Sequence, residues 1–282
     1  MNKFFKFTLI ILALGAVDIG RYFLYPDVDA LKETNPIPTA FMEFRKEQWA
    51  DENRKIKMNH TWVKIGNIST NIIKAVLIAE DDGFYNHDGF DIKGMENAIE
   101  RSIKKGTLAG GSTISQQLSK NLYLSPSKNP IRKIKEAIIT YRIEKTLSKR
   151  RILEIYLNIA EWGDGIFGIE AASRHHYGKS AKNLTALEAS RLASVLPNPI
   201  RYNPNGNQKY VKNRVNVIYK TMEKRGAIQS VYQEVMTPKK EDEAVVAEPM
   251  EENSSIEPEV ESVKLQNNGE QATDLVDNNL TN

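Results

Sequence analysis

Glu80-Asp81-Asp82-Gly83-Phe84-Tyr85-Asn86-His87-Asp88-Gly89-Phe90-Asp91 follows without a break on the apolar run Ile72-Ile73-Lys74-Ala75-Val76-Leu77-Ile78-Ala79. Five carboxylates and one imidazole thus fall within twelve residues at the end of a helical pattern. A carboxylate in that place can lose part of its hydration, which raises its pKa toward that of a working general base. The plainer reading is an acidic helix end and turn with Gly83 as the stop. A second polar block, beginning at Gly110, favours the chemical reading.

The pattern on both sides is helical. Ser69 is placed to cap a helix ending near Gly83. Asp91 can cap the next, with Ala98, Ile99 and Ile103 on its apolar side and Gly106 as its stop. Gly110-Gly111 make a turn, and Ser112 or Thr113 caps a third helix. Asn129-Pro130 gives an N-cap followed by proline at the first helical position, for a helix to about Leu147. Ser148 starts another, ending near Glu161. Thr185-Ala186-Leu187-Glu188 is a capping box before a helix stopped by Pro197. Residues 206–225 form a last amphipathic helix ending at Gly226. No alternating strand pattern of any length occurs, so an all-α or mainly-α domain is expected.

The chain has 282 residues, no cysteine and 40% hydrophobic residues. This fits a globular body with polar appendages and excludes disulfides and thiolate metal sites. The net charge of +3 conceals an asymmetry, since residues 231–282 carry a net −10 and residues 1–230 a net +13. A basic body suits a phosphate-bearing partner: an anionic membrane, a lipid diphosphate or a nucleic acid. The acidic segment 231–282 cannot bury enough surface to offset its ordering entropy and is expected to be a disordered tail. At the other end, Lys3 and Lys6 precede an apolar stretch from Phe4 to Tyr25 interrupted by Asp18 and Arg21. Residues 1–25 therefore read as a transmembrane signal anchor, with the body outside. A cleaved signal peptide is the rival, but no clear cleavage site follows. Residues 26–60, with Pro26, Pro36 and Pro38, are a connector whose Phe41, Met42, Phe44 and Trp49 touch lipid or pack on the domain. The globular domain is expected over residues 61–230.

The Gly110 block reads Gly110-Gly111-Ser112-Thr113-Ile114-Ser115-Gln116-Gln117-Leu118-Ser119-Lys120-Asn121. Two glycines let the backbone approach a ligand, and a capped helix start offers free N–H groups to an anion. Gln116 and Lys120 are four apart, on one helix face. A third block, Arg132-Lys133-Ile134-Lys135-Glu136, adds a cationic patch holding a carboxylate, with Lys120 and Lys128 nearby in sequence. Its bland reading is a solvated face with an internal ion pair.

In order and spacing, these three blocks resemble the peptidoglycan glycosyltransferase (transglycosylase) domain, family 51 of the glycosyltransferases. Ile152 to Asn158 and the segment from Leu184 to Pro197 extend the resemblance, which covers roughly residues 60–205. The run Glu161-Trp162-Gly163-Asp164-Gly165-Ile166-Phe167-Gly168 looks most like the monofunctional biosynthetic branch. No penicillin-binding transpeptidase domain is expected after residue 230. The resemblance implies a lysozyme-like, mainly helical fold beside the inner membrane, with its catalytic domain on the periplasmic side. It also implies polymerisation of lipid II, with the growing glycan strand as donor, inversion to a β-1,4 link and release of undecaprenyl diphosphate.

By the same resemblance, Glu80 matches the general base. Glu136 matches the second glutamate, which positions donor groups, stabilises positive charge or holds a basic partner. Lys120, Lys128, Arg132 and Lys133 are the candidates for the diphosphate. Ser112, Thr113, Gln116 and Gln117 are expected to shape the donor site, and Phe84 to pack under the catalytic carboxylate. No cofactor is required, although a divalent cation can act at the diphosphate. His87 is expected to order a loop, and Asp81, Asp91, Glu144 and Glu154 to cap or pair. Lys128 stands where many members have arginine and so lacks the bidentate fork, and Asn97 also stands in place of an arginine. His175-His176 departs from the commoner His-Tyr, and neighbours on a helix do not face one metal site. Membrane lipid and cell-wall assembly proteins are the further partners implied; nucleic acid is not. A lysozyme-like lytic transglycosylase and a non-catalytic cell-wall scaffold are the alternatives. Cleavage of glycan needs no cationic cradle, and the scaffold needs neither glutamate.

Overall fold

In the computed structural model, the described residues are 3–105, 110–126 and 129–226. Gly106, Lys128 and the acidic segment 231–282 lie outside them, and so do the expectations attached to those residues. Ten helices occur among the described residues: α1 (Lys3–Gly20), α2 (Ala40–Asp51), α3 (Thr70–Glu80), α4 (Ile92–Lys105), α5 (Ile114–Tyr123), α6 (Pro130–Thr146), α7 (Lys149–Ile159), α8 (Ile169–Tyr177), α9 (Ala186–Val195) and α10 (Lys209–Lys224).

The start signals act where the sequence places them. Ser69, Asn129 and Ser148 accept a backbone N–H with their side chains at the starts of α3, α6 and α7. Thr113 and Thr185 each form a full capping box, with Gln116 and Glu188 respectively. Each such cap is worth about 1 kcal/mol. The core centres on α7, where Ile152, Leu153, Ile155, Tyr156, Leu157 and Ile159 are all buried. Ile114 and Leu118 of α5 and Ile139 and Ile143 of α6, the helices that pack on α7, have no measurable exposure, and neither have Phe84 and Ile72. Each contributes roughly 1.5–3 kcal/mol of hydrophobic transfer. On the other side, α3 packs against both α9 and α10.

Three features depart from expectation. First, a small sheet exists: β1 (Asn59–His60), β2 (Glu161–Gly163) and β3 (Ile166–Phe167), in the order β1-β3-β2. β1 runs parallel and β2 antiparallel to β3. Strands of two or three residues are too short to show alternation, although Asp164-Gly165 is a hairpin turn signal with Gly165 at φ +78°. Second, Ile99 and Ile103 of α4 are 61% and 78% exposed, and only Ala98 of the expected apolar side is covered. Third, the membrane-spanning helix expected over residues 1–25 is not found as such. α1 has 18 residues and passes at Gly20 into a 3-10 turn, Arg21–Phe23. Its rise is about 27 Å, against a hydrocarbon core of about 30 Å. Among the described residues, no helix is long and apolar enough to cross a membrane.

Within the connector, Met42 and Trp49 are buried. The Trp49 indole donates to Asp164 Oδ1 at 3.1 Å, and Arg45 pairs with buried Glu161 at 2.7 Å. These contacts fix α2 on the β2–β3 hairpin. The end of α1 is tied to α6: Lys135 pairs with Asp18 at 2.6 Å, and Arg142 donates to the carbonyls of Tyr22 and Leu24.

Candidate active site

α3 ends at Glu80, and this stop builds the site. Its C-cap Asp81 leaves helical geometry, with φ −162° and ψ 76°, and turns its carboxylate inward. Asp81 Oδ2 accepts the Ile114 N–H at 2.9 Å, and Asp81 Oδ1 pairs with His87 Nε2 at 2.8 Å. His87 Nδ1 in turn accepts the Gly89 N–H at 3.1 Å, so the ring proton sits on Nε2 and points at Asp81. Thr113 Oγ1 donates to the Gly89 carbonyl at 2.7 Å. The first two sequence blocks are thus joined by a buried hydrogen-bonded brace in which His87 orders the loop. Glu144 extends the brace, bonding Ser115 and pairing with Lys149. Asp91 caps α4 through the Gly94 N–H, and Glu154 pairs with Arg151 and accepts the Ile65 N–H.

Beside this brace lies a cleft of about 1010 Å³. Glu80, Ser112, Gln117 and Lys120 line it from one side, and Tyr210 and Arg214 of α10 from the other. Glu80 is only 12% exposed at its side chain. Burial pushes its pKa up, while the Gln117 hydrogen bond and the Arg214 and Lys120 charges pull it part of the way back. Gln117 Nε2 donates to Glu80 Oε2 at 3.0 Å, and Arg214 reaches Glu80 Oε1 at 3.4 Å. The fully buried Tyr156 hydroxyl donates to Gln117 Oε1 at 3.1 Å, which turns the amide so that its nitrogen faces the carboxylate. Burial also raises the Tyr156 pKa, so that hydroxyl stays a neutral donor.

Lys120 stands within electrostatic reach of both Glu80 and Glu136, and burial lowers its pKa. Glu136 is buried on α6 and held by two cations, Arg132 at 2.6 Å and Lys133. Lys133 also reaches Ser112 Oγ at 3.4 Å, so the third block is tethered to the glycine turn of the second.

The pairing of Gln116 with Lys120 on one face divides differently in space. Gln116 is buried, and its Oε1 accepts the Thr113 N–H, so both Gln116 and Thr113 serve the helix start. Gln117 and Lys120, three apart, are the pair that lines the cleft. Phe84 is fully buried, with its ring edge-on to Tyr85 and Lys149 4.5 Å from its centroid; it does not line the cleft. Arg214 and Tyr210 are not among the residues the sequence points to, and Tyr156 enters there only within the run Ile152 to Asn158. The available signal was an arginine among Val211, Val215 and Ile218 on the buried side of α10.

Comparison with known proteins agrees with this geometry. The family profile described as Transglycosylase matches residues 47–223. A biosynthetic peptidoglycan transglycosylase of Azoarcus sp. (strain BH72) is 47% identical over 194 residues, 68% of this chain and 84% of the relative. One from Aromatoleum aromaticum is 53% identical over 169 residues, 60% of this chain and 74% of the relative. One from Nitrosospira multiformis is 41% identical over 219 residues, 76% of this chain and 95% of the relative. The profile takes in all three sequence blocks and the α10 residues that close the cleft, and on that ground the chain belongs to the transglycosylase family.

Proposed function

We propose that this protein is a peptidoglycan glycosyltransferase that polymerises lipid II into β-1,4-linked glycan strands. The observation that carries the reading is Glu80: a largely buried carboxylate of raised pKa in an open cleft, with a cation beside it. A sugar hydroxyl is a poor nucleophile and needs its proton removed as the new bond forms. Glu80 takes that proton from the acceptor 4-hydroxyl. The oxygen attacks the anomeric carbon of the donor from the face opposite the leaving group. The bond from that carbon to the diphosphate oxygen breaks, and the electron pair leaves with the diphosphate. Lys120 meets the developing negative charge, and Lys133 and Arg132, held by Glu136, add to the field. Attack from the opposite face turns an α-linked donor into a β product.

The chain is further proposed to be held at the inner membrane by α1, with its catalytic domain on the outer side. α1 exposes Phe4, Phe7, Ile10 and Leu14, and Lys3 and Lys6 stand at its start. Such a helix, slightly short for a bilayer, is accommodated by local thinning and by lysines reaching to the interface. A lipid-linked substrate and the net positive charge of residues 1–230 suit the same surface.

The test is incubation of the purified protein with labelled lipid II. Long glycan strands and free undecaprenyl diphosphate are expected. Soluble anhydro-sugar fragments released from finished wall, with no polymer from lipid II, would establish the lytic alternative instead.

A further inference from the structure

A second cavity, of about 690 Å³, lies outside the catalytic cleft. Its size is that of a small-ligand site. Trp162 lines it with no exposed surface, yet its indole N–H has no acceptor among the described residues. His176 lines it too, and its Nε2 is likewise buried and without a partner. Burial and the neighbouring His175 hold the His176 pKa down to about 4, so the ring is neutral at pH 7. The neutral ring has one donor and one acceptor nitrogen, and a ring proton turned toward the Trp162 backbone makes Nε2 the acceptor. Two unmet groups of opposite sense, a donor and an acceptor, are what an amide satisfies.

The rim adds charge. Lys57 and Arg201 line the cavity, and neither has a carboxylate partner among the described residues. Asp164, the carboxylate at the same rim, is committed to Trp49 and Arg54. Arg201 lies over the Tyr202 ring, 5.7 Å from its centroid, but neither cation is neutralised by a carboxylate, and both therefore call for an anionic group on the ligand. Met58, Ile166 and Ile200 supply an apolar wall for small side chains. A sugar has less to stack on, because one face of the Tyr202 ring is taken by Tyr210 at 4.3 Å and Trp162 is enclosed. That same stack connects the two sites, since Tyr202 lines this cavity and Tyr210 the catalytic cleft.

We propose that the cavity bounded by Lys57, Trp162, His176 and Arg201 binds a short peptide bearing a free terminal carboxylate. The carboxylate lies between Lys57 and Arg201, and a backbone amide meets Trp162 and His176. Only the physiological source of the peptide rests on the peptidoglycan reading: it is the stem peptide of the lipid-linked substrate or that of a finished strand.

Calorimetric titration of the full chain with acetyl-D-alanyl-D-alanine and with its C-terminal amide tests the site. The carboxylate form is expected to bind at least about tenfold more tightly than the amide. The double variant Lys57→Ala, Arg201→Ala should lose a similar factor while keeping its melting temperature. Glu80→Gln should bind the peptide as the parent does, so binding stands or falls independently of polymerisation. Equal affinity for acid and amide, no binding heat, or a double variant that binds normally each overturns the proposal. The source follows from turnover. A KM raised in the double variant for peptide-bearing lipid II, but not for the peptide-free lipid-linked disaccharide, assigns the substrate's own stem. Loss of peptide binding with both KM values unchanged assigns the stems of finished strands.

Discussion

At the scale of single residues, the proposed chemistry rests on how Glu80 is surrounded. A base works only when ionised, and burial raises its pKa, so the acid limb of the rate–pH profile should lie above the ordinary carboxylate range. Arg214 and Gln117 each oppose that rise. Arg214→Met should therefore move the limb to higher pH, whereas a limb that stays put would separate Arg214 from the base. Glu80→Gln should lower turnover by roughly 10²–10⁴-fold. Its effect on stability has the opposite sense. A carboxyl whose folded pKa exceeds its unfolded one is a stability loss that grows as pH rises between the two values and is complete above the folded pKa. At pH 7 the Glu80→Gln protein should melt no lower than the parent, as differential scanning calorimetry would reveal.

At the scale of elements, the site depends on the junction between the end of α3 and the start of α5. Gly89 sits at φ +89°, and a Cβ there would come within 2.9 Å of both Thr140 and Glu144. Its carbonyl also holds Thr113, the cap of α5. Gly89→Ala is expected to cost about 1–3 kcal/mol, through backbone strain and crowding. For a domain of this size that lowers Tm by about 2–4 °C per kcal/mol. Because the displaced elements carry Glu80 and Gln117, kcat should fall along with Tm. A variant that loses stability at full activity would show that the brace supports the fold alone.

At the scale of the whole molecule, the proposed membrane attachment rests on charge and on α1 together. The body carries a net +13 over residues 1–230, and α1 presents an apolar surface tied to α6 through Lys135 and Asp18. Removing residues 1–25 should weaken flotation with anionic vesicles and make the remaining binding strongly salt-dependent, since only exposed charges would be left to hold the surface. Vesicle association unchanged in amount and in salt response would exclude α1 as the anchor.

Much of this was readable from the residues alone. These caps act through hydrogen bonds between a side chain and the backbone two or three residues away. Ser69, Thr113, Asn129-Pro130, Ser148 and Thr185 therefore announce their helices without help from the rest of the chain. The chemistry of the three polar blocks was likewise written in their residue types. What the residues could not give were contacts between distant segments. The sheet is one case, because its strands are too short to carry a period. The outward turn of Ile99 and Ile103 is another, because periodicity defines an apolar face but not whether anything covers it. Gln117 is a third: the capping box that takes Gln116 is local, but only the packing of α5 against α7 aims Gln117 at Glu80. Sequence thus determined the helices and the reactive groups, which are matters of nearest neighbours. Tertiary structure decided which of those groups share a cleft, because Arg214 meets Glu80 only once α10 has packed on α3, and Tyr156 meets Gln117 only once α7 has packed on α5.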